Sequence, residues 1–419
     1  MLAAALLVTA GLGQVTPVHA APVPPRLSEI TFYGRGYGHG VGMSQYGARG
    51  RAVAGQKAPE ILAHYYAGTT VGTRNDAATI RVLLLAGFAA TATKPLTVVG
   101  KSGTWTIDGI VEAFPADAKL TLAPVASGST SWVLRVRSAA GALLHTATVT
   151  GDVWVRPSAP SVLLRLVSKA STKNVYRGVL RIRLRTTAMV VNHLAVRTYL
   201  RGVVPAEMPS SWPTEALKVQ AIAARSYAIK HLHPATGSYD VYDDTRSQVY
   251  RGRLGEAAST NAAITATAGQ VVLSGTTVAN TLFHSAGGGA TENNEYVWVS
   301  ATGAVTGSPV PYLRGSSDRA PNGASYDAAS PYAAWKTATY PLATLSKMLA
   351  TDARTNVGAL TSIDLSARGV SGRLIRVTLT GALGTKSVSG DVFRSVFNVA
   401  RPAADPMLRS TLFDVAPIL

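Results

Sequence analysis

Between residues 79 and 190 one pattern keeps returning, and it limits what the chain can fold into. Ile80–Leu85, Leu96–Val99, Trp105–Ile107, Trp132–Val136, Thr146–Val155 and Val179–Arg185 alternate or run β-branched, with Gly, Ser, Asp and Pro between them. Segments of this kind are strands separated by turns. Arg181-Ile182-Arg183-Leu184-Arg185 alternates charge with aliphatic residues, so one face of that strand is wet and basic. Residues 90–155 hold no constellation of carboxylates, His or Gly, and read as a structural or wall-binding insert.

Around this β region the period changes. Pro213–Leu232 reads as a long helix, with Pro213 at its start, Glu215 in the first turn, and Lys230 and His231 at the end. Its alanines leave little bulk, so another segment can approach its backbone. Gln220, Ala223, Ala224, Tyr227 and His231 share one face, whereas Arg225 and Tyr227 point to nearly opposite sides. Shorter helices are expected at Pro59–Tyr66 and Leu342–Ala350. Further strands are expected at Ile30–Tyr33, Ser362–Leu365, Leu374–Leu379 and Lys386–Ser389. The fold class is α+β, a mixed core with a long Ala-rich helix and a β-rich insert.

Lys and Arg number 40 against 22 Asp and Glu, a net charge of +18. So basic a chain of 419 residues adheres to polyanions. It has no cysteine, which excludes disulfides, Cys-ligated zinc, iron–sulfur clusters and cysteine nucleophiles. Met1–Gly13 is an apolar run too short to span a bilayer, followed by a polar stretch and small residues around Ala20. That is the pattern of a secretory signal peptide over 1–20, though no Lys or Arg precedes the run. A secreted, cysteine-free, basic chain points to the cell wall. No RNP-type or Cys/His finger motif supports nucleic-acid binding.

Glu207 is the first candidate for chemistry. In Val203-Val204-Pro205-Ala206-Glu207-Met208-Pro209 it sits among apolar residues and two prolines, directly before the long helix. Apolar surroundings disfavour the ionised carboxyl and raise its pKa, as a general acid requires. The structural alternative is a helix-capping carboxylate or a partner of Arg201. The glycine-dense loop 34–48 is the second. It has neither the P-loop nor the dinucleotide fingerprint, but carries His39, Ser44, Gln45 and Tyr46, which can hydrogen-bond sugar hydroxyls and acetamido groups. The alternative there is a tightly turned structural loop. Residues 239–250 hold three aspartates without EF-hand spacing, so a turn leading into a polar strand is expected over a metal loop. His284-Ser285 lies in no Gly-x-Ser-x-Gly elbow, and no His-Glu-x-x-His motif is present.

Together, Tyr199–Pro209 (YLRGVVPAEMP), Trp212–Ala228 (WPTEALKVQAIAARSYA), Ser247–Gly252 (SQVYRG), Phe283–Glu292 (FHSAGGGATE) and Gly34–Ala48 (GRGYGHGVGMSQYGA) resemble the stage II sporulation protein D family (SpoIID/LytB). Weaker matches lie at Pro331–Trp335, Ser371-Gly372-Arg373 and near the end of the sequence. In that family the Gly-His-Gly loop usually comes at the C-terminus. Here it comes first, so the chain resembles a circular permutation of the family pattern. Permutation requires Phe413–Val415 and Ile30–Tyr33 to be neighbouring strands, with loop 34–48 folded against Glu207. The resemblance divides the chain into a leader (1–20), a linker (21–29), a Gly-His-Gly part of the core (30–75), a β-rich segment (76–175, insert 90–155) and the remaining catalytic core (176–419).

The resemblance implies a secreted, wall-associated lytic transglycosylase of peptidoglycan. Such an enzyme cuts the β-1,4 bond between N-acetylmuramic acid and N-acetylglucosamine, and the muramic C6 hydroxyl closes a 1,6-anhydro ring. Glu207 matches the family's catalytic glutamate. Because the nucleophile is part of the substrate, one carboxyl can act as acid and then as base, where other glycosidases need two. If water were the nucleophile, Asp240, Asp244 or Glu292 would be the second carboxylate. His39, Ser44, Gln45, Tyr46, Arg225, Tyr227, Gln248 and Ser285 are expected to bind sugar or orient Glu207. The expected partners are glycan strands stripped of stem peptides, anionic wall polymers and a cell-wall amidase, with no nucleic acid. No cofactor is expected, and the zinc that some relatives hold through Cys and His is not carried over. The alternative function is a non-catalytic, wall-binding amidase enhancer.

Overall fold

A computed structural model describes residues 28–232 and 237–416. The signal-peptide reading of 1–20 lies outside the described residues. The alternating segments build two six-stranded sheets. One runs, in spatial order, Val241–Tyr242, Thr79–Phe88, Ala188–Ala195, Val179–Leu184, Asp152–Pro157 and Trp105–Ile107. Its pairs are antiparallel except the first, which is parallel. The other runs Leu143–Thr150, Ser131–Arg137, Lys119–Pro124, Leu96–Lys101, Leu163–Leu166 and Val175–Tyr176, all antiparallel. Ile80, Val82, Leu180, Ile182 and Val190 of the first share one core with Leu96, Val98, Leu120, Leu134 and Trp132 of the second. This is the inward half of the period-2 pattern.

The stretch read as one strand over Thr146–Val155 is two. The chain turns at Gly151 (φ +76°), and the two halves belong to different sheets. Likewise Ile30–Tyr33 divides: Glu29–Ile30 pairs with Tyr340–Pro341, while Tyr33–Gly34 pairs with Phe413–Asp414 and Trp335–Lys336. The neighbourhood that permutation requires is therefore present, with Gly34 opposite Phe413.

Seven α-helices surround the sheets among the described residues: α1 (Gln45–Val53), α2 (Ala58–Tyr65), α3 (Val196–Glu207), α4 (Thr214–Lys230), α5 (Ala258–Ala266), α6 (Leu342–Leu349) and α7 (Gly390–Ala400). The expected helices correspond to α2, α4 and α6. Helix α3 was not anticipated. Val196, Tyr199, Leu200, Val203 and Val204 form its buried stripe. Glu207 thus closes a helix and does not sit in a free loop before one. Pro205 falls in the last turn, and Met208 donates to Val204 O at 3.0 Å before Pro209 ends the run. Helix α4 is buried on almost every side, because Ala216, Ala221, Ala223, Ala224 and Ala228 let α1, α2, α3 and α5 pack against it. A separate core joins α6 and α7 to Ile30, Phe32 and Phe413. No helix among the described residues is long and apolar enough to cross a membrane.

Candidate active site

Helix α3 points its C-terminal end at the glycine loop, and Glu207 stands where they meet. The backbone carbonyl of Glu207 accepts from Gln45 Nε2 (3.0 Å), whose other proton reaches Gln220 Oε1 of α4 (3.1 Å). Gln45 is the first residue of α1, and Ser44 caps that helix by accepting from Gly47 N (3.1 Å). The last four residues of loop 34–48 are therefore helical. The first half of the loop turns on glycines. Gly40 has φ +87°, and a Cβ there would collide with the Arg373 guanidinium, so only glycine serves.

Among the described residues the Glu207 carboxyl makes one hydrogen bond, Val249 N to Oε1 at 2.7 Å. Burial pushes its pKa up to about 7. That bond and the nearby Arg251 cation offset the rise only in part. The carboxyl lies between two depressions. One, of about 370 Å³, is walled by Tyr46 and Trp212 on one side and by Tyr37 and Tyr332 elsewhere. The ring pairs are 4.7 Å apart in both cases, and Arg409 lies over Tyr37 and Tyr332 at 5.8 and 4.8 Å. The other, of about 560 Å³, is lined by His39, Tyr227, Ser247, Gln248, Ser285 and Trp298. Gln45, Tyr37, Ser285 and Glu207 border both, so the two form one cleft across the carboxyl. Glu207 is the one carboxylate lining either part among the described residues.

Of the residues expected around Glu207, six line this cleft: His39, Gln45, Tyr46, Tyr227, Gln248 and Ser285. His39 accepts from Val41 N on Nδ1 and faces Phe283 O with Nε2, both at 3.0 Å. Only the Nε2–H tautomer satisfies both, and burial lowers its pKa to about 4. His39 is thus a fixed neutral imidazole. Gln248 is 1% exposed. Its Oε1 accepts from Tyr199 OH (3.4 Å), and its Nε2 has no protein partner among the described residues. A sugar oxygen or a water can take that donor.

Two expected residues do not reach the cleft. Arg225 is fully buried on the other side of α4, bound to Asp76 Oδ2, Gln270 O and Ile264 O at 3.1 Å each. The helical period that separates it from Tyr227 explains this. Ser44 is also fully buried, and its hydroxyl is consumed by Gly47 N and Gly287 N. None of the three possible second carboxylates lines the cleft, and each is engaged by other groups. Asp240 holds Arg81, Asp244 holds Arg246, and Glu292 accepts from Asn293 N, Val370 N, Ser371 N and Ser371 Oγ. Among the described residues no three His, Asp or Glu gather as a metal site. Sequence reasoning passed over Tyr37, Trp212, Arg251, Trp298 and Tyr332. Tyr37, Trp212 and Tyr332 lie inside the motif segments, where their aromatic character was the available signal.

The stage II sporulation protein (SpoIID) family model matches residues 185–273, the segment holding α3, Glu207 and α4. Residues 185–273 are thus a SpoIID domain. Among its curated relatives, the amidase enhancer of Bacillus subtilis (strain 168) is 40% identical over 119 residues, 28% of this chain and 15% of that protein. Stage II sporulation protein D of the same organism is 30% identical over 148 residues, 31% of this chain and 40% of the relative. An uncharacterised protein of Brachyspira hyodysenteriae is 36% identical over 142 residues, 33% and 36% of the two chains. The chain thus spans less than half the length of each of these relatives.

Proposed function

We propose that this SpoIID protein is a lytic transglycosylase of peptidoglycan, acting in the cell wall with Glu207 as its single acid and base. The observation that carries the reading is a partly buried, singly hydrogen-bonded carboxyl in a cleft that no other carboxylate lines among the described residues. The relatives named for sporulation and for amidase enhancement support a wall role.

With Oε1 tied to Val249, the other oxygen is the one able to carry the proton. Near neutral pH about half of the molecules hold it. The proton passes to the glycosidic oxygen of the leaving N-acetylglucosamine as the C1–O bond breaks. The carboxylate left behind takes the proton of the muramic C6 hydroxyl, whose oxygen bonds to C1. The acid is regenerated and no water enters. The Tyr46–Trp212 and Tyr37–Tyr332 pairs suit the apolar faces of pyranose rings, and unpaired Gln248 Nε2 suits a hydroxyl or acetamido oxygen.

Purified protein and peptide-free glycan test this: mass spectrometry of the products is expected to give 1,6-anhydro ends. Reducing ends would mean that water is the nucleophile. The amidase enhancer relative favours a second reading, in which the same cleft holds glycan without turnover and recruits an amidase. Glycan retention with no new ends, together with a stimulated amidase, would establish that reading.

A further inference from the structure

We propose that the outward face of the sheet containing Lys119–Pro124 and Ser131–Arg137 is a docking surface for a linear, phosphodiester-bearing wall polymer. This site is separate from the glycan cleft and does not depend on turnover. The face follows from register. Leu120, Leu122, Trp132, Leu134 and Val136 point into the core, so Lys119, Arg135 and Arg137 point out. Arg137 lies directly opposite Lys119, Lys119 opposite Val99, and Val99 opposite Arg165. This row crosses four strands, about 15 Å at the usual strand spacing, and Arg135 stands two residues along from Arg137.

All four cations are exposed, and none forms an ion pair among the described residues. Asp117, two residues from Lys119, is occupied by Lys101. Like charges directly opposite on a sheet weaken it, so folding alone gives no reason for Lys119 to face Arg137. A partner with regularly spaced negative charge relieves the repulsion. The outward neighbours Thr121 and Thr146 add hydroxyls and no bulk. No aromatic side chain stands at the outward positions of these strands to stack on bases. That favours a flexible phosphate polymer over nucleic acid.

The experiment uses the full chain and immobilised poly(glycerol phosphate), with single-stranded DNA and phosphatidylglycerol vesicles as rival ligands. Retention is expected to fall with salt. Reversing the face (K119E/R135E/R137E/R165E) is expected to weaken binding by at least about tenfold, with the melting temperature held and glycan cleavage unchanged. Reversing the exposed, distant Lys336 and Lys347 is expected to leave binding close to the parent. Equal losses in both variants, no binding by the parent, or tighter binding to DNA or vesicles would overturn the proposal.

Discussion

Two glutamates drawn from motif segments of the same chain have opposite surroundings. Glu292 is fully buried, and its carboxylate receives four hydrogen bonds from Asn293, Val370 and Ser371. Arg373, close by, donates to Ala290 O and Gly287 O and so ties the same loops. Glu207 is also largely out of water but receives a single hydrogen bond. A carboxylate with many donors is an anchor, because every donor would be orphaned without it. A buried carboxyl with one donor keeps its proton to higher pH and can pass it on. Residue type does not separate the two roles; the number of aimed N–H and O–H groups does.

The largest expected effect breaks the comparison at Glu207. Glu207→Gln should lower the rate of anhydro-end formation by roughly 10²- to 10⁴-fold, read by mass spectrometry against time, without a lower melting temperature. The same variant should flatten a pH dependence. The folded-state pKa of Glu207 lies above its unfolded value, so its contribution to stability is full below about 4.5 and is lost as pH rises through about 7. Urea titrations at several pH values measure that slope.

The mirror variant comes next. Glu292→Ala should cost about 3 kcal/mol or more in stability, since four aimed donors lose a fully buried acceptor. Denaturant unfolding checks this. Gly369→Ala should act in the same direction, because its Cβ would strike the Glu292 carboxyl. If Glu292→Ala unfolded no more readily than the parent, the anchoring role would fail.

Smaller effects sharpen the account of the cleft. Trp212→Ala removes one half of an aromatic wall and should raise KM for glycan roughly five- to tenfold, with kcat less affected, in steady-state kinetics. Arg251→Gln removes a cation that holds the Glu207 pKa down. The pKa should therefore rise, and the alkaline limb of the pH–rate profile should move to higher pH by a fraction of a unit. A move to lower pH would show that Arg251 does not act on Glu207 as described.

Much of this was legible from local pattern. The sheets follow from alternation, α4 from its alanines and its proline start, and Glu207 from apolar, proline-flanked neighbours. What escaped depends on distance. Helix α3 carries a β-branched stripe and an internal proline, which obscured its helical period until the core fixed it. The cleft walls bring Tyr37 to Tyr332 and Tyr46 to Trp212 from segments far apart in sequence, so no local spacing announces them. Arg225 has the composition of a binding residue, and only its face on α4 shows that it belongs to the interior. Gly151 divides one apparent strand between two sheets, a choice made by packing and not by local propensity.

The central claim is that Glu207 holds a proton near neutrality while facing an open cleft. Infrared difference spectroscopy of the protonated carboxyl C=O stretch, parent against Glu207→Gln across pH 4 to 9, measures it directly. The account predicts a band that is present in the parent, absent in the variant, and titrates with a midpoint of about 7. A band lost near the ordinary carboxylate range of about 4 would contradict it.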